Sequence, residues 1–222
     1  MESEQRKVFL SPGVYIDSGH PSVAAFARAQ LVGVVDPRDR AIKLYHAVRD
    51  GIKYDPYLNY TDDTNFRASG VLATKKGFCV GKAALLAACC RAAGIPARVG
   101  YADVRNHMTS KRLHALTQSD VFRWHSYTDI FIDDKWVKAT PAFDAALCAR
   151  VGTPPLEFDG CIDSLFQPCD PDGRRRMEYL RYRGDFADVP FAQILSDFRK
   201  FYPNFVNAAA GTGDFHAEAR TQ

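Results

Sequence analysis

A glycine, an aromatic residue and a cysteine, Gly77-Phe78-Cys79, stand at the head of an alanine-rich stretch that runs to Gly94-Ile95-Pro96-Ala97-Arg98. Ala83, Leu86, Ala87 and Cys90 recur at the i, i+3, i+4, i+7 spacing of one buried helix face. Gly94 and Pro96 stop that helix. A helix beginning at Cys79 is therefore predicted, and a thiol at a helix start meets unpaired amides and the positive end of the dipole, both of which favour thiolate. Gly77 has no side chain, so the chain can turn sharply there or a substrate can approach the sulfur. The competing reading of Cys79 is a small buried hydrophobe. The segment downstream weighs against it.

That segment, residues 124–132, is rich in aromatic and β-branched residues and reads as a strand. His125, Tyr127 and Asp129 share one of its faces by the period of two. A turn at Asp133-Asp134-Lys135 returns the chain through Trp136 to Thr140 as the partner of a hairpin. A group between Thr140 and Asp144 then approaches the imidazole from the neighbouring strand, where a residue that orients it is needed. A cysteine at a helix start followed by a histidine on such a hairpin is the arrangement of a nucleophile and its base.

Taken in order, Gly77 to Cys79, the alanine-rich helix, Gly94 to Arg98, His125 to Asp129, and Trp136 leading to Pro141 resemble the transglutaminase-like superfamily of papain-like cysteine enzymes. The resemblance covers residues 12–145. It implies an α+β fold, with a helical N-terminal part, the cysteine at a helix N-terminus, and an antiparallel sheet that carries the histidine. It also implies acyl transfer or hydrolysis at an amide or thioester carbonyl through an acyl-enzyme on Cys79, with His125 as general base and acid. Backbone amides at the helix start, including that of Cys79, would meet the oxyanion. The family usually has an aspartate immediately before the proline, and here Thr140 stands in that place. A hydroxyl accepts the imidazole N–H bond but gives no charge to stabilise imidazolium. Thr140 is thus the third member by position, with Asp144 and Asp129 as candidate acids in its stead and Asp144 favoured. Phe78, Arg105, His107 and Tyr127 are the candidate substrate-binding residues, although surface or structural roles suit Arg105 and His107 as well. A second reading is a catalytically impaired transglutaminase-like binding or scaffolding module. A third is a redox protein using the vicinal Cys89 and Cys90.

The 222 residues suffice for one sizeable core. At 46% hydrophobic and 25% charged residues the composition is that of an ordinary soluble protein. A formal charge of +3 does not argue for nucleic acid, and the densest basic run, Arg174-Arg175-Arg176, reads as a solvated turn. The charged start has no apolar core of a signal peptide, and no stretch reaches the roughly 20 apolar residues that span a bilayer. A cytoplasmic location is therefore expected, with no nucleic acid or membrane partner. The six cysteines include no Cys-x-x-Cys pair, and no run of closely spaced acids forms a calcium loop, so no metal and no cofactor is expected. The cysteines are expected as free thiols. The expected substrate is a small molecule or peptide.

Residues 21–32 read as a first helix. A second is introduced by Asp36 as N-cap and Pro37, with Ala41, Leu44, Tyr45, Val48 and Ile52 as its apolar stripe. Residues 54–76 read as a long surface loop and 98–104 as a strand. The expected organisation is a catalytic core over 1–150, an embellishment over 151–207 that includes a last helix from 188 onwards, and a mobile tail over 208–222.

Overall fold

In the computed structural model, residues 3–107, 109–169, 173, 176–207 and 213–218 are described. Arg174 and Arg175 of the basic run, and the tail residues 208–212 and 219–222, lie outside them. The chain forms α1 (Ser3–Val8), α2 (Pro21–Gln30), α3 (Pro37–Gly51), β1 (Lys53–Tyr54), a 3-10 turn (Asp63–Phe66), α4 (Ala68–Thr74), β2 (Lys76–Gly77), α5 (Cys79–Ala92), β3 (Ala97–Asn106), α6 (Lys111–Thr117), β4 (Val121–Ile132), β5 (Lys135–Ala139), α7 (Ala145–Arg150), β6 (Met177–Phe186), α8 (Phe191–Phe201), α9 (Pro203–Asn207) and α10 (Phe215–Glu218).

An antiparallel sheet in the order β5-β4-β3-β6 packs against the helices, α5 above all. The expected stripe on α5 is too modest, because every residue from Val80 to Arg91 is buried. Such a helix is apolar all round because neighbours cover all of it, here α2, α3 and α4 as well as the sheet. Its one lysine, Lys82, is fully buried and donates to the carbonyls of Arg49 (2.8 Å) and Ile52 (2.6 Å), which satisfies the end of α3.

Asp36 caps α3 by accepting from the amides of Arg38 and Asp39, and the predicted stripe of that helix is buried. The β4–β5 hairpin closes at Asp133 and Asp134, both with positive φ, 49° and 61°, the backbone of a two-residue turn that matches strand twist. Residues 54–76, expected as a surface loop, instead carry the 3-10 turn and α4 and bury Tyr57, Tyr60, Phe66, Val71 and Leu72. The apolar area of those side chains outweighs the polar residues between them. The expected embellishment over 151–207 contains β6, which is a full member of the main sheet, and α8 follows at Phe191. Within the expected tail, residues 215–218 form α10, with Phe215 buried and Asp214 bonded to Lys53 (3.0 Å).

Candidate active site

Cys79 is the first residue of α5, and its neighbour Phe78 takes the N-cap place without a side-chain cap. The thiol is packed against both the main core and a smaller cluster formed by Ala102, Val104, Ala142, Phe166 and Met177. Burial pushes the Cys79 thiol up to about 11, while the backbone N–H groups of Ser126, Val80 and Cys79 itself draw it down. The helix-start amides expected to favour thiolate are therefore present, but desolvation outweighs them.

The Ser126 amide that reaches the sulfur belongs to the residue after His125, so β4 and the head of α5 meet at this point. His125 pairs with Ala102 of β3, and its ring lies 5.8 Å from Phe166 and 6.0 Å from Tyr179, centroid to centroid. Burial pulls the imidazole down to about 4 with no carboxylate to offset it. At neutral pH the thiol and the imidazole are thus both uncharged, and a neutral imidazole can take a proton.

What aims His125 is a β-bulge. Between the pairs Ala102–His125 and Val104–Phe122, one residue of β3, Asp103, faces two of β4, Arg123 and Trp124. Trp124 sits at φ 62°, a left-handed conformation that a bulky side chain rarely adopts. Charged partners hold it there. Asp103 accepts the Trp124 amide (3.3 Å) and pairs with Arg183 of β6 (Nη2, 3.0 Å), while Asp197 of α8 accepts the indole N–H (2.8 Å) and also pairs with Arg183 (2.8 Å). The Arg183 guanidinium lies 4.5 Å from the centre of the indole ring.

Thr140 follows β5 and is buried, and its Oγ1 makes no hydrogen bond, although its carbonyl accepts from Tyr45 Oη (3.1 Å). The two candidate acids are engaged elsewhere. Asp144 caps α7 through the Leu147 amide (2.9 Å), accepts the Tyr54 amide (2.9 Å) and lies 3.1 Å from His216 Nε2. Asp129, fully buried, accepts Nε and Nη2 of Arg98, its cross-strand partner (2.9 and 2.7 Å). Neither carboxylate acts on the His125 imidazole.

Cys79 and His125 line one cavity of about 60 Å³. Its walls are aromatic: Tyr54, Tyr60, Phe78, Phe122, Phe143, Phe198, Tyr202, Phe205 and Phe215, with Asn106, Thr117 and Arg123 among the polar members. Of the four expected substrate-binding residues, Phe78 is in the wall and the other three are outside it. Arg105 pairs with Asp120 (3.0 Å), and His107 with Glu178 (2.9 Å). Tyr127 is buried over Gly100 and donates to Asp185 (3.0 Å). Part of the wall comes from segments whose sequence gave no site signal, among them Phe198 of α8, Phe205 of α9 and Phe215 of α10. Among the described residues no His, Cys, Asp and Glu side chains cluster as a metal site, and no helix is long and apolar enough to cross a membrane.

The family model of the transglutaminase-like superfamily matches residues 24–141, a stretch that holds Cys79, His125 and Thr140. No curated protein matches the chain. Among solved structures, a "putative cysteine protease" from Cytophaga hutchinsonii is similar at 18% identity and a TM-score of 0.48, over 64% of this chain and 43% of that one. A "putative protease" from Parabacteroides distasonis is 15% identical with a TM-score of 0.42, over 61% of this chain and 26% of that one. The periplasmic domain of TgpA from Pseudomonas aeruginosa is 19% identical with a TM-score of 0.44, over 64% and 48%. The aligned regions span less than half the length of each.

Proposed function

The chain belongs to the transglutaminase-like superfamily, and from that membership we propose that it is a cysteine-dependent hydrolase or acyltransferase acting at an amide or thioester carbonyl. The observation that carries the reading is the meeting of Cys79, at the head of α5, with β4 at His125 and Ser126 around one cavity. In the first step the Cys79 proton passes to His125 as Sγ bonds to the carbonyl carbon, and the carbonyl oxygen takes the negative charge. Amides at the start of α5 stabilise that oxyanion. Collapse breaks the bond to the leaving amine or thiol, which takes the proton from His125 and leaves an acyl group on Cys79. Water, or an amine, then attacks with His125 again taking its proton, and the thiol returns as acid or amide leaves. The neutral resting pair supports this order of events, in which proton transfer accompanies attack rather than precedes it. An aromatic wall favours an acyl group with an apolar or aromatic side chain on a small molecule or short peptide.

The test is intact-mass detection of an acyl adduct on Cys79 after mixing with aromatic and aliphatic thioesters and activated esters. Wild type should form the adduct with the aromatic donors first, and Cys79→Ala should form none. One observation favours a binding module without turnover: the third-member place holds an uncharged Thr140 beside a histidine that burial keeps neutral. Donor binding by calorimetry with no adduct on any donor would establish that reading instead.

A further inference from the structure

Three buried polar atoms around His125, Nε2 of His125 itself, Oγ1 of Thr140 and Oη of Tyr179, make no hydrogen bond of regular geometry within the protein, although the Thr140 hydroxyl and the Phe166 backbone lie close enough to the Tyr179 phenol to act on it. They come from three separate places in the chain: β4, the residue after β5, and β6. The Tyr179 ring stands edge-on to the imidazole at 6.0 Å. Burial pushes the Tyr179 phenol up, the Thr140 hydroxyl and the Phe166 backbone draw it down, and Tyr182 and Cys79 are the titratable groups that act on it. Tyr179 therefore faces Thr140, His125 and the nucleophile together.

Buried polar atoms are nearly always partnered, so three orphans at one histidine call for a reason. Packing is not one, because phenylalanine at position 179 would fill the same space without burying a hydroxyl. The tyrosine is brought there by the sheet. It pairs with Val104 of β3, while His125 pairs with Ala102 on the opposite side of the same strand.

On the basis of the acyl-transfer reading, we propose that Tyr179 is a positioning residue for His125, its hydroxyl acting with that of Thr140 where the superfamily usually has an aspartate. The two hydroxyls accept the Nε2–H and fix the tautomer, which leaves the Nδ1 lone pair free for the Cys79 proton. They also solvate the imidazolium that forms, though without the charge of a carboxylate.

The experiment is the pH profile of iodoacetamide alkylation of Cys79, followed residue by residue by mass spectrometry, in wild type, Tyr179→Phe, Thr140→Val, Thr140→Ser and His125→Ala. Loss of one hydrogen bond to the imidazolium should slow Cys79 in Tyr179→Phe and Thr140→Val by about three- to tenfold at pH 7. Thr140→Ser, which keeps the hydroxyl, should retain the wild-type rate. Above pH 11, where the thiolate forms unaided, all five proteins should converge. A packing defect would not vanish at high pH in this way. If Tyr179→Phe overlays wild type at every pH while His125→Ala is slow at pH 7, the inference fails and the cysteine–histidine reading stands. If His125→Ala also overlays wild type, the acyl-transfer reading fails and the inference falls with it.

Discussion

Burial works on the two reactive side chains in opposite directions, holding the Cys79 thiol up to about 11 and the His125 imidazole down to about 4. Both shifts favour the uncharged partner, and no carboxylate acts on the ring to reverse them. Restoring the acid should do so. A carboxylate at position 140 favours imidazolium, which raises the His125 pKa and with it the thiolate fraction of Cys79 at neutral pH. An opposite charge at such range moves a pKa by roughly 1–3 units. Thr140→Asp is therefore expected to speed Cys79 alkylation at pH 7 by about tenfold or more, with the gain lost when His125→Ala is added. An unchanged rate in Thr140→Asp would mean that position 140 does not reach the imidazole. Cys79 and His125 could be picked out in the chain because Cys79 opens a strongly patterned helix and His125 lies within a strongly patterned strand. Thr140 was legible because its place in the motif is fixed by the proline after it. Tyr179 was not, because only the closing of the sheet brings β6 to the histidine.

At the scale of elements, Asp144 illustrates how a carboxylate near a site in sequence is diverted by local structure. It caps α7, ties down the Tyr54 amide of β1, and faces His216 of α10. Asp144→Ala removes a cap, which costs about 0.5–2 kcal/mol, and leaves the Tyr54 amide without its acceptor, a further 1 kcal/mol or so. The variant should lose about 1.5–3 kcal/mol in urea unfolding yet keep the wild-type pH profile of Cys79 alkylation. A displaced profile would restore Asp144 to the catalytic group. The elements themselves were legible where period and caps agree, as in α3 with Asp36 and in the β4–β5 hairpin with its paired aspartates. Three features escaped. The bulge at Trp124 carries no glycine to mark it, since Asp103, Arg183 and Asp197 impose the left-handed backbone from other elements. In β6, Leu180 and Tyr182 are exposed, so the strand lacks a clear apolar alternation. Residues 54–76 are polar in sequence between the aromatics that fix them, and their fold depends on contacts with α5.

For the whole molecule, the buried imidazole links folding to pH. The folded state holds His125 neutral down to about pH 4, whereas the unfolded chain binds that proton near pH 6.5. Below 6.5 the unfolded state therefore carries more protons than the folded one, and stability falls as the pH falls. The loss begins near pH 6.5, is complete near pH 4, and amounts to about 3 kcal/mol at 1.36 kcal/mol per pKa unit. Burial lowers His216 as well, so it adds to the slope in the same direction. The carboxylates held below their usual value, Asp50, Asp159 and Asp214, act in a separate window, because their contributions are lost only as pH falls toward and below 3.8. Urea unfolding at half-unit steps between pH 7 and 4 should accordingly show wild-type stability declining across the histidine window. His125→Gln should remove most of that decline and leave the smaller part that His216 contributes. If the His125→Gln curve runs parallel to wild type, the imidazole is charged in the folded protein at pH 5. The neutral resting pair on which proton transfer during attack depends would then have to be replaced by a preformed ion pair.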